Sequence, residues 1–227
     1  MIKNTPAGGR GQDLPSITPM FPTPVWIKKR DSNLTSEEKK EIEEIIKEGV
    51  HLNSGNSTTD NSYIFDSPYF GAKGHLEKIK QFCEQQLKEY VEGLIIPIEE
   101  IEIYITQSWL NITKPGQFHQ EHSHANSIIS GVFYISTEED DQITFIDPNF
   151  NIKHVLRIEP KQFNIWNSHI CSIPSIPNEL LLFPSWISHS VLQNEKATTD
   201  RISLSFNTFI KGTLGSQHGL TELIMRK

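Results

Sequence analysis

The sequence has 227 residues, of which 36% are hydrophobic and 22% charged, and its formal net charge is -7. This is enough apolar material for a sizeable core, which excludes a wholly disordered chain. The acidic balance and the lack of a basic run argue against nucleic acid as a partner. No apolar stretch approaches the roughly 20 residues that span a bilayer, which argues against a membrane partner.

Two cysteines, Cys83 and Cys171, have a spacing that matches neither a disulfide framework nor a metal knuckle. This favours a reducing, cytoplasmic location. Residues 1–20 lack the apolar core of a secretory signal and are interpreted as a flexible lead-in. Residues 21–227 are predicted to form one domain, because no Pro/Gly/Ser-rich or charged linker divides them. The sequence leaves the oligomeric state open, a homo-oligomer included.

Two amphipathic helices are predicted ahead of the middle of the chain. The first, at about 35–48, has Thr35 and Glu38 at capping-box spacing and an isoleucine stripe on one face. The second, at about 74–92, repeats apolar residues every three to four positions. The polar stretch between them is predicted to be a loop with one short strand around Tyr63.

From about residue 99 to residue 211 the pattern changes to short β-type runs separated by turn signals. These runs predict about eight strands, at 102–112, 127–136, 142–146, 152–158, 162–166, 179–183, 188–193 and 201–210. Many short strands at this spacing are typical of a sandwich or a jelly roll rather than a βαβ fold. The predicted fold class is therefore mainly β, a jelly roll with two N-terminal helices packed on it.

Three histidines cluster at His119, His122 and His124. Side chains two apart on an extended chain point to the same side, so His122 and His124 are candidate ligands of one metal ion. A histidine-rich surface loop is the alternative interpretation. The third candidate ligand is His189, which follows an apolar strand and a Pro turn; a partly buried structural histidine is the alternative there.

The last predicted strand alternates strictly between apolar and polar residues, with Arg201 and Ser203 on its polar side. One interpretation is a half-buried strand with a solvated face. The other is a polar barrel interior, in which Arg201 binds a carboxylate through bidentate hydrogen bonds and Ser203 adds a donor. An arginine twelve residues after the candidate ligand His189 is the arrangement that a metal-chelating keto acid requires.

Five segments together resemble a known family. They are Ser108–Asn111, His122–Ser127, Ser130–Tyr134, Phe183–Trp186 with His189, and Arg201–Ser203. In order and spacing they are similar to the 2-oxoglutarate/Fe(II)-dependent oxygenases of bacteria and phages. With the opening segment Phe21–Trp26, the resemblance covers about residues 20–211.

The resemblance implies a double-stranded β-helix with an Fe(II) site at one mouth. It implies that His122, His124 and His189 bind the iron and that Arg201 pairs with the C5 carboxylate of the cosubstrate, 2-oxoglutarate. Further candidates for the cosubstrate pocket are Tyr134 and Ser203, while Trp109 and Trp186 lie close to these segments and are candidate walls. The implied activity is that of a dioxygenase, a hydroxylase that couples decarboxylation of 2-oxoglutarate to oxidation of an unknown substrate by O2.

One position departs from the usual pattern of the wider superfamily, because His124 stands where most members have Asp or Glu. The alternative register, His119-x-Glu121, restores a histidine–carboxylate pair and places His122 and His124 at the entrance. Two other functions stay open. A three-His cupin-type dioxygenase without 2-oxoglutarate leaves Arg201 without its main role, and a non-catalytic jelly-roll binding or structural module needs no metal.

Overall fold

The computed structural model describes residues 17–48, 60–63, 76–150, 156 and 158–225. Within these ranges the helices are α1 (Ser36–Glu48) and α2 (Glu77–Tyr90), and a π-helical turn, Val91–Ile95, follows α2. The strands are β1 (Trp26–Lys29), β2 (Asp60–Tyr63), β3 (Ile101–Thr113), β4 (His119–His122), β5 (Ile129–Ser136), β6 (Gln142–Ile146), β7 (Ile170–Pro174), β8 (Glu179–Pro184), β9 (His189–Val191), β10 (Arg201–Leu214) and β11 (Leu223–Met225). In this part of the chain no helix is long and apolar enough to cross a membrane.

The strands form two antiparallel sheets. The larger one has the order β1-β8-β5-β10-β3-β2, with β11 paired to β10, and the smaller one has the order β4-β9-β6-β7. Residues of β5, β6 and β8 share one apolar cluster, so the two sheets face each other. This arrangement is a double-stranded β-helix, and the predicted fold class is confirmed.

Strand alternation divides the interior into two cores. Phe133 and Leu204 point from the large sheet toward the helices, where they join the apolar stripe of α2. Val132, the neighbour of Phe133 on β5, points the other way, into the space between the sheets. The polar residues of β10 alternate with Leu204 and share that second direction. Arg201 is consequently only 7% exposed and Ser203 only 4%, so the polar face of β10 lies inside the barrel.

The predicted capping box of α1 is present. The Glu38 amide donates to Thr35 Oγ1 at 3.1 Å, and the Thr35 amide donates to Glu38 Oε2 at 2.8 Å. Arg30 adds a buried ion pair to Glu38 at 2.8 Å, which ties the chain after β1 to this helix. Burial opposes ionisation of Glu38, but hydrogen bonds from Arg30 and Thr35 outweigh it and lower the pKa of the carboxyl.

The strand predicted at 162–166 is wrong, because this segment forms turns. The Asn164 side chain accepts the Trp166 amide at 2.8 Å, and the Asn167 side chain accepts the Asn164 amide at 2.7 Å. Such local side-chain bonds stabilise turns in competition with a strand. The strand predicted at 152–158 lies mostly outside the described residues. Strands missing from the prediction are β1, β4, β7 and β11.

Candidate active site

Three histidines from two neighbouring strands converge at one end of the barrel. His122 ends β4 and His189 begins β9, and these two residues are partners in the strand register. His124 lies two residues beyond β4. One ring nitrogen from each histidine falls within 4.8 Å of those of the other two. The strand pairing thus brings together residues that are 67 positions apart in sequence, as 189 minus 122 shows.

Backbone carbonyl groups orient two of the rings. The Nδ1 atom of His122 lies 2.8 Å from the carbonyl oxygen of Gln120, and Nδ1 of His189 lies 3.1 Å from that of Ile187. A carbonyl oxygen can only accept, so Nδ1 carries the proton in both rings and Nε2 keeps its lone pair. Histidines that bind metals commonly donate their second nitrogen in this way.

The environment keeps two of these imidazoles neutral. Burial, followed by the neighbouring His122, lowers the pKa of His189 to about 3. The same two causes lower the pKa of His124 to about 4. A neutral imidazole has a free lone pair for a metal, so the unprotonated form required of a ligand dominates at neutral pH.

The alternative register places its two residues differently. His119 stacks on His122 with ring centres 4.4 Å apart and planes 15° apart, and it lines the same cleft without joining the group of three nitrogens. Glu121 is exposed and is not part of that group. The structure therefore brings together His122, His124 and His189.

A buried serine holds the segment that carries His124. The His124 amide donates to the carbonyl oxygen of Ser185 at 3.0 Å. The Ser185 hydroxyl, which is 0% exposed, lies 2.7 Å from the Ser127 hydroxyl and 2.8 Å from the Ser130 hydroxyl. Ser185 also precedes His189 by four residues, so one buried hydroxyl group links the chain segments of two histidines.

Arg201 lies at the other end of the same cleft. It begins β10, which is hydrogen-bonded on one side to β3 and on the other to β5. Its Nη1 atom is buried and has no hydrogen-bond partner among the described residues. The hydroxyl of Tyr134 is likewise buried and has no hydrogen-bond partner among the described residues. The centre of the Tyr134 ring lies 5.3 Å from the guanidinium carbon of Arg201. Tyr134 is fully buried and does not line the cleft, so it contacts the arginine from behind.

One wall of the cleft extends from the histidine end to Arg201. It consists of the antiparallel register pairs Trp109–Ser205, Asn111–Ser203 and Thr113–Arg201. The Trp109 ring lies 5.9 Å from that of His124, which marks the histidine end. Trp109 Nε1 donates to Asn111 Oδ1 at 3.0 Å and Asn111 Nδ2 donates to Ser205 Oγ at 2.7 Å, which fixes the orientation of this amide.

The cleft has a volume of about 500 Å³, including the space open to solvent. Its lining contains no Asp or Glu among the described residues, and Arg201 is its one permanently charged side chain. Trp109 lines it as predicted, whereas Trp186 is 56% exposed and does not. Asn111 and Ser205 were not predicted as site residues; the alternation of β3 and β10 was the signal that placed them on this face.

The residues present fit a divalent metal ion and an elongated diacid. Three imidazoles whose ligand atoms lie within 4.8 Å of one another form a ligand set that iron accepts. A buried guanidinium nitrogen without a partner is costly unless an acceptor reaches it, and a carboxylate is the strongest acceptor available. Both requirements are met within one continuous cleft.

Comparison with known proteins agrees with this chemistry. Residues 107–207 match the family described as "Putative 2OG-Fe(II) oxygenase", a region that contains all three histidines and Arg201. A prolyl-4-hydroxylase from Pseudomonas putida is similar in structure, with a TM-score of 0.54 and 15% identity over 82% of this chain and 92% of that one. No curated protein matches the sequence.

Two other solved structures share the fold. The α-ketoglutarate-dependent epimerase SnoN from nogalamycin biosynthesis has a TM-score of 0.56 and 14% identity, over 82% of this chain and 78% of that one. HygX from Streptomyces hygroscopicus, solved with nickel, 2-oxoglutarate and hygromycin B, has a TM-score of 0.51 and 9% identity, over 82% of each chain. At these identities the likeness shows the double-stranded β-helix alone, while the match to a family model is confined to residues 107–207. Residues 107–207 therefore match a domain of the 2OG-Fe(II) oxygenases, enzymes that use Fe(II) and 2-oxoglutarate, and the resemblance seen in the sequence is confirmed.

Proposed function

We propose that the protein is an Fe(II)- and 2-oxoglutarate-dependent hydroxylase that binds iron through His122, His124 and His189 and the cosubstrate through Arg201. One observation supports this most strongly. Three imidazoles meet at one end of a cleft, and a buried guanidinium with an unpartnered nitrogen lies at the other end. A molecule that chelates a metal with its 2-oxo acid group and ends in a carboxylate satisfies both.

When bound, Fe(II) together with 2-oxoglutarate and O2 supplies the oxidising chemistry, with release of succinate and CO2. The chain's own residues position and enclose these groups. The carbonyl oxygens of Gln120 and Ile187 hold two ligand rings through Nδ1 and leave Nε2 for the metal. Arg201 neutralises the distal carboxylate, and Ser203 is a further donor beside it. The apolar lining residues Val132, Ile143 and Phe183 exclude water from the histidine end.

The ligand set proposed here is all-histidine. His124 is held at the site by Ser185, while the exposed Glu121 lies outside the group of converging nitrogens. The three-His cupin-type alternative uses the same metal ligands but leaves the buried Arg201 without a partner. A non-catalytic module leaves both the convergence of the histidines and this arginine unexplained.

Partners and location are proposed more coarsely. A primary substrate is required besides 2-oxoglutarate and O2. The names of the proteins of similar fold indicate different substrates, so we assign none of these substrates to this chain. The acidic net charge supports our expectation that nucleic acid is not bound. The free thiols of Cys83 and Cys171 support a cytoplasmic location.

The test is an anaerobic titration of the Fe(II)-loaded protein with 2-oxoglutarate, followed by visible absorption. Chelation of Fe(II) by the 2-oxo acid should produce a weak charge-transfer band, and admission of O2 should then release succinate. His189→Ala should abolish iron binding, whereas Arg201→Ala should keep the iron and raise the Kd for 2-oxoglutarate roughly 30-fold or more. His218→Ala, the same change at an exposed histidine, is the matched control.

Each failure has a distinct meaning. Iron binding without any spectral response to 2-oxoglutarate would support the three-His dioxygenase instead. If His189→Ala still bound iron and Arg201→Ala still bound 2-oxoglutarate as the wild type does, the proposed site as a whole would be contradicted.

A further inference from the structure

Arg201 begins its strand immediately after the loop 192–200, and the end of that loop is bound to the turn after β5 by the carboxylate of Glu138. Glu138 accepts four hydrogen bonds from two consecutive residues of the loop, Thr198 and Thr199. Its Oε2 accepts the Thr198 amide at 2.9 Å, and its Oε1 accepts the Thr198 hydroxyl at 2.9 Å, the Thr199 amide at 2.7 Å and the Thr199 hydroxyl at 2.6 Å. Glu138 thereby connects the end of β5 to the start of β10.

Asp141 reinforces this connection from the same turn. Its Oδ2 accepts the Glu138 amide at 2.9 Å, and its Oδ1 accepts the Asn194 side-chain amide, also at 2.9 Å. Asn194 donates in addition to the carbonyl oxygen of Glu139 at 3.0 Å. The loop is therefore fixed at both its beginning and its end by the turn that follows β5.

The tied loop lies directly against the arginine. A small cavity beside the cleft is lined by Thr199 and Arg201 together, with Asp141 and Asn194 also in its wall. Since Nη1 of Arg201 has no hydrogen-bond partner among the described residues, no side-chain bond holds that nitrogen in place. The position of the guanidinium then depends on packing against Tyr134 and on where the main chain enters β10.

The chemistry of the connection requires a carboxylate. Four donors surround the two oxygens of Glu138, and an amide in its place would accept at one atom only. The other atom would present its own N–H groups to a main-chain N–H. These donors also lower the pKa of Glu138 to about 2, with the Thr199 and Thr198 bonds as the largest causes, so the group stays charged at physiological pH.

We propose that Glu138 is a positioning residue for 2-oxoglutarate, which holds the chain at Thr198 and Thr199 and thereby sets the guanidinium of Arg201 at the distance that the cosubstrate requires. This inference rests on the proposed function. Glu138 touches neither the cosubstrate nor the metal ligands; it acts through the strand that Arg201 begins.

The test compares two ligands on the anaerobic Fe(II) protein. One is 2-oxoglutarate, and the other is 2-oxopentanoate, which keeps the chelating 2-oxo acid end and lacks the distal carboxylate. We expect Glu138→Gln to raise the Kd of 2-oxoglutarate about tenfold, the effect of weakening one charge-assisted contact. The Kd of 2-oxopentanoate and the affinity for Fe(II) should stay unchanged. Glu139→Gln, the same change at the exposed neighbouring residue, should behave as wild type.

The outcomes separate this inference from the proposed function. The role of Glu138 would be overturned if Glu138→Gln bound 2-oxoglutarate as the wild type does. It would also be overturned if the variant lost affinity equally for 2-oxoglutarate, 2-oxopentanoate and Fe(II). Absence of 2-oxoglutarate binding by the wild type would overturn the proposed function instead. If Glu138→Gln does not fold, as judged by thermal unfolding, the double variant Thr198→Val, Thr199→Val decides. It removes both hydroxyl donors and keeps the carboxylate, and it must show the same selective loss for 2-oxoglutarate.

Discussion

The guanidinium carbon of Arg201 lies 5.3 Å from the centre of the Tyr134 ring, and each side chain ends in a buried polar atom that has no hydrogen-bond partner among the described residues. Two unpartnered donors side by side in a protein interior are unfavourable, since each has lost its hydration without replacement. A carboxylate bound in the cleft would accept from Arg201, which lines it, whereas Tyr134 lies behind the arginine. Binding of the cosubstrate would therefore satisfy the buried guanidinium.

Removal of the Tyr134 hydroxyl should weaken cosubstrate binding without harming the fold. Tyr134→Phe should raise the Kd of 2-oxoglutarate about threefold, because Tyr134 packs against Arg201 and affects the cosubstrate only through that side chain. The Tm of the cosubstrate-free protein should stay unchanged or rise, because an unsatisfied buried group is gone. Thermal unfolding with and without 2-oxoglutarate measures both effects, and Tyr104→Phe, beside Lys211 at the other end of β3, is the control. A lower Tm with an unchanged Kd would assign the hydroxyl to the fold alone.

The identity of the third metal ligand can be tested by restoring the usual residue. His124→Asp keeps a ligand atom at this position and should retain Fe(II), whereas His124→Ala should lower the Fe(II) affinity roughly 100-fold or more, above the loss typical of residues that merely support a ligand. Glu121→Gln should leave the affinity unchanged. Anaerobic metal titration measures all three. Loss of iron in Glu121→Gln but not in His124→Ala would favour the alternative register.

The metal-free protein should lose stability as the pH falls from 7 to 5. The pKa of His189 is about 3 in the folded chain and has an ordinary value of 6.5. Between pH 7 and pH 5 the unfolded chain therefore binds a proton that the folded chain does not. The free energy of unfolding consequently decreases as the pH decreases. For this one group the loss is about 2 kcal/mol. Thermal unfolding across the range checks this. His189→Asn should flatten the dependence, and an unchanged slope would contradict the assignment.

Gly131 cannot accept a larger residue. A Cβ at this position would lie 2.1 Å from the Phe206 ring, which is 0% exposed, so neither group has room to move. Gly131→Ala should lower the free energy of unfolding by about 1–3 kcal/mol through overpacking. Chemical denaturation measures the change. Gly93→Ala is the control, because its Cβ would meet the Trp26 ring at 4.0 Å, an ordinary contact. Equal stability of the two variants would contradict this account.

Features that depend on neighbours in sequence were predictable. The capping box of α1 involves residues three apart, and the alternation of β10 placed Arg201 and Ser203 on one face before any pairing was known. His189 was expected to open a strand, and it begins β9. Local patterns of two to four residues are sufficient for such predictions, because they reflect the periodicities of strands and helices.

Features that depend on pairing across the fold were not predictable. Glu138 and Thr199 are 61 positions apart, and nothing in either segment marks it as the partner of the other. The bond from the His124 amide to Ser185 likewise joins distant segments. The strand predicted at 162–166 failed for a different reason. Its apolar residues fit a strand, but the asparagines beside them form local bonds that the period-two pattern does not register.

The proposed metal site consists of three imidazole rings, none of which supplies a negative charge, in a cleft without an acidic residue among those described. A divalent ion held there would keep its full double charge, since nothing supplied by the protein offsets it. The natural counter-ion is the cosubstrate itself, which carries two negative groups. The affinities for ion and diacid should then be thermodynamically linked, each raising the other by the same factor. Such an enzyme would hold its iron loosely when cellular 2-oxoglutarate is scarce and firmly when it is abundant.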